Sequence, residues 1–217
     1  MHLITLIQFL MFYIFIMEHN NILPVVLAGG KSKRFGEDKS QAKLGGKILI
    51  DYILKEITKD FNEVLIVANS SIQHLSSEKI IKIEDHKKNL GPLGGIYSAM
   101  KWVKENNKKY QWIASFPSDT PFFKMDNFND FIKRINEKES ELFFIKSGEK
   151  RHNIFGLWSV HLVDQLNKDL EIGTRKVERW ANDIGVKIIN MAYEKRDPFF
   201  NINTKEDLKI AEKILND

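Results

Sequence analysis

From Ile22 onward, short apolar runs alternate with segments whose apolar residues recur every three or four positions. This alternation constrains the fold more than any other feature. Strands separated by helices pair through crossovers rather than hairpins, which builds a mostly parallel sheet with helices on its faces. "ILPVVLA" at 22–28, "EVLIVAN" at 63–69, "KIIKIED" at 79–85 and "YQWIASF" at 110–116 read as buried strands, and "ELFFI" at 141–145, "IFGLWSV" at 154–160 and "VKIINM" at 186–191 as later ones. Between them Ile50, Ile53, Leu54 and Ile57 share one helical face, as do Ile96, Ala99, Met100 and Val103 in a helix opened by Gly91-Pro92. "FNDFIKRI" at 128–135 is helical. In the last segment Thr204 can cap, Asp207 stands three residues on, and Leu208, Ala211 and Leu215 line a face. The expected fold is α/β: three layers, α/β/α, around a mostly parallel, Rossmann-like sheet. Such sheets bind ligands beyond the carboxyl ends of their strands. The loops after Ala28, Asp85 and Phe116 therefore matter most.

The first of these loops, "LAGGKSKRFGEDKS" at 27–40, opens on two glycines and carries Lys31, Lys33, Arg34 and Lys39. Glycines let backbone N–H groups approach an anion, and the cations add charge, so the composition suits phosphate. A Walker A loop ending at Gly30-Lys31-Ser32 would need glycine where Val25 stands, and G-x-G-x-x-G fails as well. A plain strand-to-helix turn with solvated lysines is the competing reading.

Composition narrows the chemistry. There is no cysteine, which removes disulfides, thiolate metal sites and cysteine nucleophiles. The six histidines do not fall at zinc-ligand spacings, so any metal is expected to be hard and oxygen-ligated, such as magnesium. A net charge of +4 suits anionic small molecules and is too mild for a nucleic-acid footprint. At 217 residues the chain suits one domain.

Residues 3–16, "LITLIQFLMFYIFI", are apolar apart from Thr5 and Gln8, shorter than the roughly 20 residues that span a bilayer, and lack the cationic start and cleavage site of a secretory signal. The expectation is that 1–16 are a preface outside the fold and that Met17 begins a single domain over 17–217. A membrane-surface anchor and a helix docked on the core are the rivals. The cytoplasm is the expected compartment, with no stable membrane insertion.

"LAGGKSKRFGEDKSQAKLGG" resembles the signature L-A-G-G-x-x-x-R-x-G-x-D-K-x-x-x-x-L-x-G of nucleotidyltransferases, and among them the MobA family that makes the guanine dinucleotide form of the molybdenum cofactor. "VANS", "EDHKKNLGPLGGI", "FPSDTPFF", "IFGLW", "RKVERW" and "NINTKEDL" are similar to further segments of that family, in order, and cover nearly everything from Ile22 to the end. The resemblance implies the nucleotide-diphospho-sugar transferase type of fold. It implies GTP and molybdenum-molybdopterin as substrates, Mg2+ as cofactor, and contact with other proteins of cofactor synthesis. Leu27, Ala28 and Gly29 match nucleotide-binding positions through backbone groups. Arg34 and Lys39 match the cations that hold the triphosphate, and with Asp119 form the catalytic set. Asn69 and Asp85 match nucleotide contacts. Asn69 could equally end a strand or cap a helix; Asp85 could read guanine, hold a ribose hydroxyl or cap a turn. Gly91, Gly94 and Gly95 could admit a base or sugar, or simply pack a helix closely. Asp119, in "SDTPF", matches the magnesium ligand and a GTP contact; a lone Asp at a strand end otherwise forms a turn or cap. Asn203 lies where a second polar group nears the metal, or braces the loop before the last helix.

Asn153 and Lys205 stand where the family has proline, and no segment follows the last helix as in two-domain sugar nucleotide enzymes. Relatives that transfer cytidylyl or sugar nucleotides share the first loop. A cytidylyl transferase, another acceptor, or a binding module without turnover are therefore the alternatives.

Overall fold

The computed structural model describes residues 19–29, 42–68, 77–86, 90–106, 108–193 and 195–216. Strands β1 (Ile22–Leu27), β4 (Val64–Val67), β5 (Ile80–Ile83), β6 (Trp112–Pro117), β7 (Leu142–Ser147), β8 (Lys150–Ser159) and β9 (Lys187–Met191) form one sheet, in the order β5-β4-β1-β6-β8-β7-β9. The small pair β2 (Lys43–Leu44) and β3 (Lys47–Ile48) stands apart from it. The pairs β1·β4, β1·β6, β4·β5 and β7·β9 are parallel, while β8 runs against both of its neighbours. The mostly parallel, three-layer α/β/α expectation therefore holds, with one reversed strand among seven.

Alternation along the strands builds two cores. Ile22 and Val26 of β1, Val64 and Ile66 of β4, and Trp112, Ala114 and Phe116 of β6 face helices α1 (Leu49–Asp60) and α3 (Met125–Lys133). Leu23, Val25, Leu65, Val67 and Ile113 face α2 (Pro92–Glu105), α4 (Val163–Glu171) and α5 (Val177–Ile184). Strands apolar on both faces are what a sheet covered on both sides requires. Helix α6 (Lys205–Asn216) closes the chain, with Ala211 packed against Leu44, Leu49 and Ile202. Its expected capping box is present: Asp207 N donates to Thr204 Oγ1 at 3.0 Å, and Asp207 Oδ2 accepts from Thr204 N at 2.9 Å. Leu215 is half exposed, lying over Gly45 in the β2–β3 turn.

Two local features differ from the expectation. No strand is expected between Ala28 and Ile50, yet Ile48 closes a two-residue hairpin, because Gly45 and Gly46 both take left-handed φ values, +54° and +80°, that reverse the chain tightly. β8 begins four residues earlier than expected and pairs with β7 through a tight turn at Gly148. The pairing jumps from Phe144↔Gly156 to Ile145↔His152, so residues 153–155 bulge out. Ser115 of β6 clips this bulge: its hydroxyl donates to the Ile154 carbonyl and accepts from Trp158 Nε1 at 2.6 Å.

The reading of 1–16 as a preface lies outside the described residues. The described chain starts with a packed side chain, His19, whose ring lies 5.0 Å from Phe61 and 6.3 Å from Phe128 and whose Nε2 donates to Asn129 Oδ1 at 3.0 Å. A chain shortened to begin at Met17 keeps these contacts and is expected to melt within about 2 °C of the full-length protein, whereas one beginning at Asn20 should melt roughly 3–6 °C lower. Thermal melting by circular dichroism checks both. A large loss in the Met17 form would make the preface part of the fold.

Candidate active site

The carboxyl ends of β1, β4, β5 and β6 share one edge of the sheet, and the loops expected to matter leave from it. Leu27 is level with Val67 on one side and Pro117 on the other. Its carbonyl accepts from Ser118 N at 3.3 Å, and Ala28 N donates to the Val67 carbonyl at 3.0 Å. The sheet thus takes the Leu27 carbonyl and the Ala28 amide, and Gly29 is exposed as the loop departs. Arg34, Lys39 and Asn69 lie outside the described residues, so the triphosphate cations and the contact after β4 stand as sequence expectations.

Asp85 is 7% exposed, just beyond β5. Its Oδ1 accepts from Ser98 Oγ of α2 at 2.9 Å, and the same hydroxyl accepts from His86 N at 2.9 Å. One carboxylate oxygen therefore braces the turn against the helix, as the capped-turn reading expects. Gly95 packs α2 on the sheet, since a Cβ there would sit 3.0 Å from Leu27 Cδ2. Gly91 caps α2 at φ +67°, a conformation that favours glycine.

Asp119 lies two residues beyond β6 and is half-buried. Asn201 Nδ2 donates to its Oδ1 at 3.0 Å, and Ile202 N donates to its carbonyl at 3.0 Å. Thr120 Oγ1 donates to the Pro117 carbonyl at 3.1 Å and fixes the turn on the other side. Among the described residues no three His, Asp or Glu gather into a metal-holding group. One carboxylate beside a carboxamide still suits a hard divalent cation whose remaining ligands are phosphate oxygens and water.

Further along the edge, Ser147 Oγ at the end of β7 lies 2.7 Å from His152 Nε2 and donates to Asp197 Oδ1 at 3.1 Å. Ser147 and His152 are buried, and desolvation lowers the His152 pKa to about 4, so the ring is neutral near pH 7. Between the start of β8 and α5 lies an open groove of about 580 Å³, lined in part by Asn153, Lys176, Arg179 and Asn182. Beside it Arg151 donates from Nη1 to Asn182 Oδ1 at 2.8 Å and sits over the Phe144 ring at 5.3 Å.

Residues 24–185 match the family described as the MobA-like NTP transferase domain. The chain belongs to this family. A molybdenum cofactor guanylyltransferase of Nitrobacter hamburgensis is 30% identical over 193 residues, covering 88% of this chain and 92% of that protein. A protein of the same name from Bradyrhizobium is 28% identical, covering 88% and 91%. Among solved structures, molybdopterin-guanine dinucleotide biosynthesis protein A from Archaeoglobus fulgidus superposes with a TM-score of 0.68 at 21% identity, over 89% of this chain and 98% of that one. A 4-diphosphocytidyl-2C-methyl-D-erythritol synthase from Anaerococcus prevotii does so with 0.64 at 12% identity, over 90% and 98%. These two structures share the fold.

MobA-like membership makes the chain a nucleotidyltransferase, of a kind that works with a divalent metal. Among the described residues no helix is long and apolar enough to cross a membrane. Asn201, which the sequence does not single out, donates to the Asp119 carboxylate. Asn201 and Asn203 flank the buried Ile202, and no local pattern separates them. Asn203 N is held by Asp207 Oδ2 at 2.8 Å. Ser147, His152 and Asp197 carry no sequence signal: the hairpin joins only the first two, and Asp197 reaches Ser147 from fifty positions away.

Proposed function

We propose that the protein transfers GMP from GTP to molybdenum-molybdopterin, releasing pyrophosphate and forming the guanine dinucleotide cofactor. The carrying observation is the Asp119 carboxylate, held by Asn201 at the carboxyl edge of a MobA-like sheet. An oxygen of the acceptor's terminal phosphate attacks the α-phosphorus of GTP, and the bond to the bridging oxygen of the β-phosphate breaks. The acceptor is already anionic near neutral pH, so no general base is needed, and the protein's task is positioning and charge neutralisation. Mg2+, when bound, neutralises charge on the phosphate oxygens. Asp119 would hold it, with Asn201 fixing the carboxylate.

Arg34 and Lys39 carry the triphosphate, and Leu27, Ala28 and Gly29 shape the loop around the nucleotide. Asn69 and Asp85 face the nucleoside in this reading. The acceptor lies toward β8, where Lys176 and Arg179 border the groove together with Glu178 and Asp183, the two cations suiting its phosphate. The reaction belongs to the cytoplasm, and hand-over to other cofactor-synthesis proteins follows from the product.

The test is purified protein with Mg2+, each nucleoside triphosphate in turn, and molybdopterin or its molybdenum form, assayed for pyrophosphate and dinucleotide. GTP should support product formation at least tenfold faster than CTP, since a site built to hydrogen-bond one base rejects another strongly. A preference for CTP would move the chain to cytidylyl transfer. GTP binding without pyrophosphate release would make it a binding module.

A further inference from the structure

We propose that Ser147, His152 and Asp197 are positioning residues for Asp119, acting through the strap that runs from Asp197 to Ile202. The inference rests on the reading of Asp119 as the metal-holding carboxylate.

The strap is tied at both ends. At its start Asp197 Oδ1 accepts from Ser147 Oγ at 3.1 Å and from Phe199 N at 2.9 Å. At its end Asn201 and Ile202 grip the side chain and main chain of Asp119, both at 3.0 Å. Between them Phe199 is 1% exposed, its ring 5.0 Å from Phe155 and 5.2 Å from His152. Ile202 is fully buried. Only a few residues separate the two ties, so a shift at Asp197 reaches Asn201 with little slack to absorb it.

The hydrogen-bond directions follow from counting protons. Ser147 has one hydroxyl proton, and it goes to Asp197. Its contact with His152, at 2.7 Å, must then be a bond in which Nε2–H donates. The result is a relay, His152 to Ser147 to Asp197, that ends by orienting a carboxylate. The same three residue types could suggest a hydrolytic triad, but the geometry excludes it. Asp197 bonds the serine and does not orient the ring through Nδ1, and Ser147 and His152 are 2% and 5% exposed, out of a substrate's reach.

The relay thus ties the β7–β8 hairpin to a carboxylate at the end of β6. A loosened strap would let the Asp119 carboxylate rotate. Catalysis depends on such groups being held near their working geometry.

The test compares Asp197→Ala with Asp197→Asn, which keeps an acceptor oxygen for Ser147 and for Phe199 N. Three readouts are taken: Mn2+ affinity in the presence of GTP by electron paramagnetic resonance, amide hydrogen exchange over 198–202, and kcat and KM with Mg2+ and GTP. Asp197→Ala should weaken Mn2+ binding about five- to tenfold, speed exchange at Ile202 at least tenfold, and lower kcat more than it raises the KM for GTP. Asp197→Asn should return all three to within about twofold of wild type. Unchanged Mn2+ affinity and unchanged Ile202 exchange in Asp197→Ala overturn the proposal. If that variant does not fold, Ser147→Ala removes the relay hydroxyl alone and is read in the same way. A wild-type protein that makes no dinucleotide counts against the proposed function. Exchange at Ile202 still decides whether the relay holds the strap.

Discussion

Asp119→Ala should slow nucleotidyl transfer by at least about a hundredfold, the scale seen when one preplaced group that stabilises a charged transition state is removed. The fold should survive. Asp119 is half-buried at a strand end, and its loss removes no core volume. The Ile202 N–H bond is to the main-chain carbonyl of residue 119 and is kept by alanine, while the Asn201 carboxamide, itself half-buried, can turn to water. Melting within roughly 3 °C of wild type is expected, since a change of about 1 kcal/mol shifts a chain of this size by that much. Turnover assays and melting curves on the same preparations decide it. A variant retaining a third of the activity would remove Asp119 from the chemistry.

The largest expected loss of stability is at Gly156. An alanine Cβ there would sit 2.3 Å from Phe144 Cδ1 and 2.5 Å from the Phe143 carbonyl oxygen. Phe144 is fully buried, its ring centroid 4.9 Å from that of Trp158, so it has nowhere to withdraw, and the carbonyl belongs to the neighbouring strand. β7 and β8 must separate to admit the methyl group, and the bulge that Ser115 clips sits directly beside them. Overpacking of this kind costs about 3 kcal/mol, or roughly 6–12 °C in melting temperature for a chain of this length. Calorimetry on Gly156→Ala would reveal it. A shift under about 2 °C would mean that the two strands re-register at little cost.

The contrast between these two residues shows where the sequence is readable. Asp119 stands out through the resemblance of "FPSDTPFF" to the family, since by position alone an Asp at a strand end reads as a turn former or cap. The parallel half of the sheet reads equally well, since β1, β4 and β6 are apolar on both faces and separated by helical periodicities. Gly156 carries no such mark. Its need for glycine arises only when Phe144 lies opposite, and that register is set by a bulge in which 153–155 leave the alternation. Asp85 could be placed but not given a role, because the Ser98 hydroxyl that braces it comes from a helix thirteen residues later. Asn201 carries no local mark that sets it apart from Asn203 two positions on. Tertiary partners drawn from distant segments leave no local periodicity to read.

The strand order also bears on how the chain is made. β1 lies near the centre of the sheet, between β4 and β6, and Ile22 pairs with Trp112. At about 5–20 residues per second, the ribosome completes β6 several seconds after β1 has been made. Through that interval a strand apolar on both faces has an unpaired edge, while β7 and β8, joined by a tight turn, can pair as soon as they emerge. Among the described strands, the first synthesised thus waits longest for its second neighbour. Nascent chains stalled between β4 and β6 are the stage at which this protein most needs a chaperone and is most exposed to aggregation.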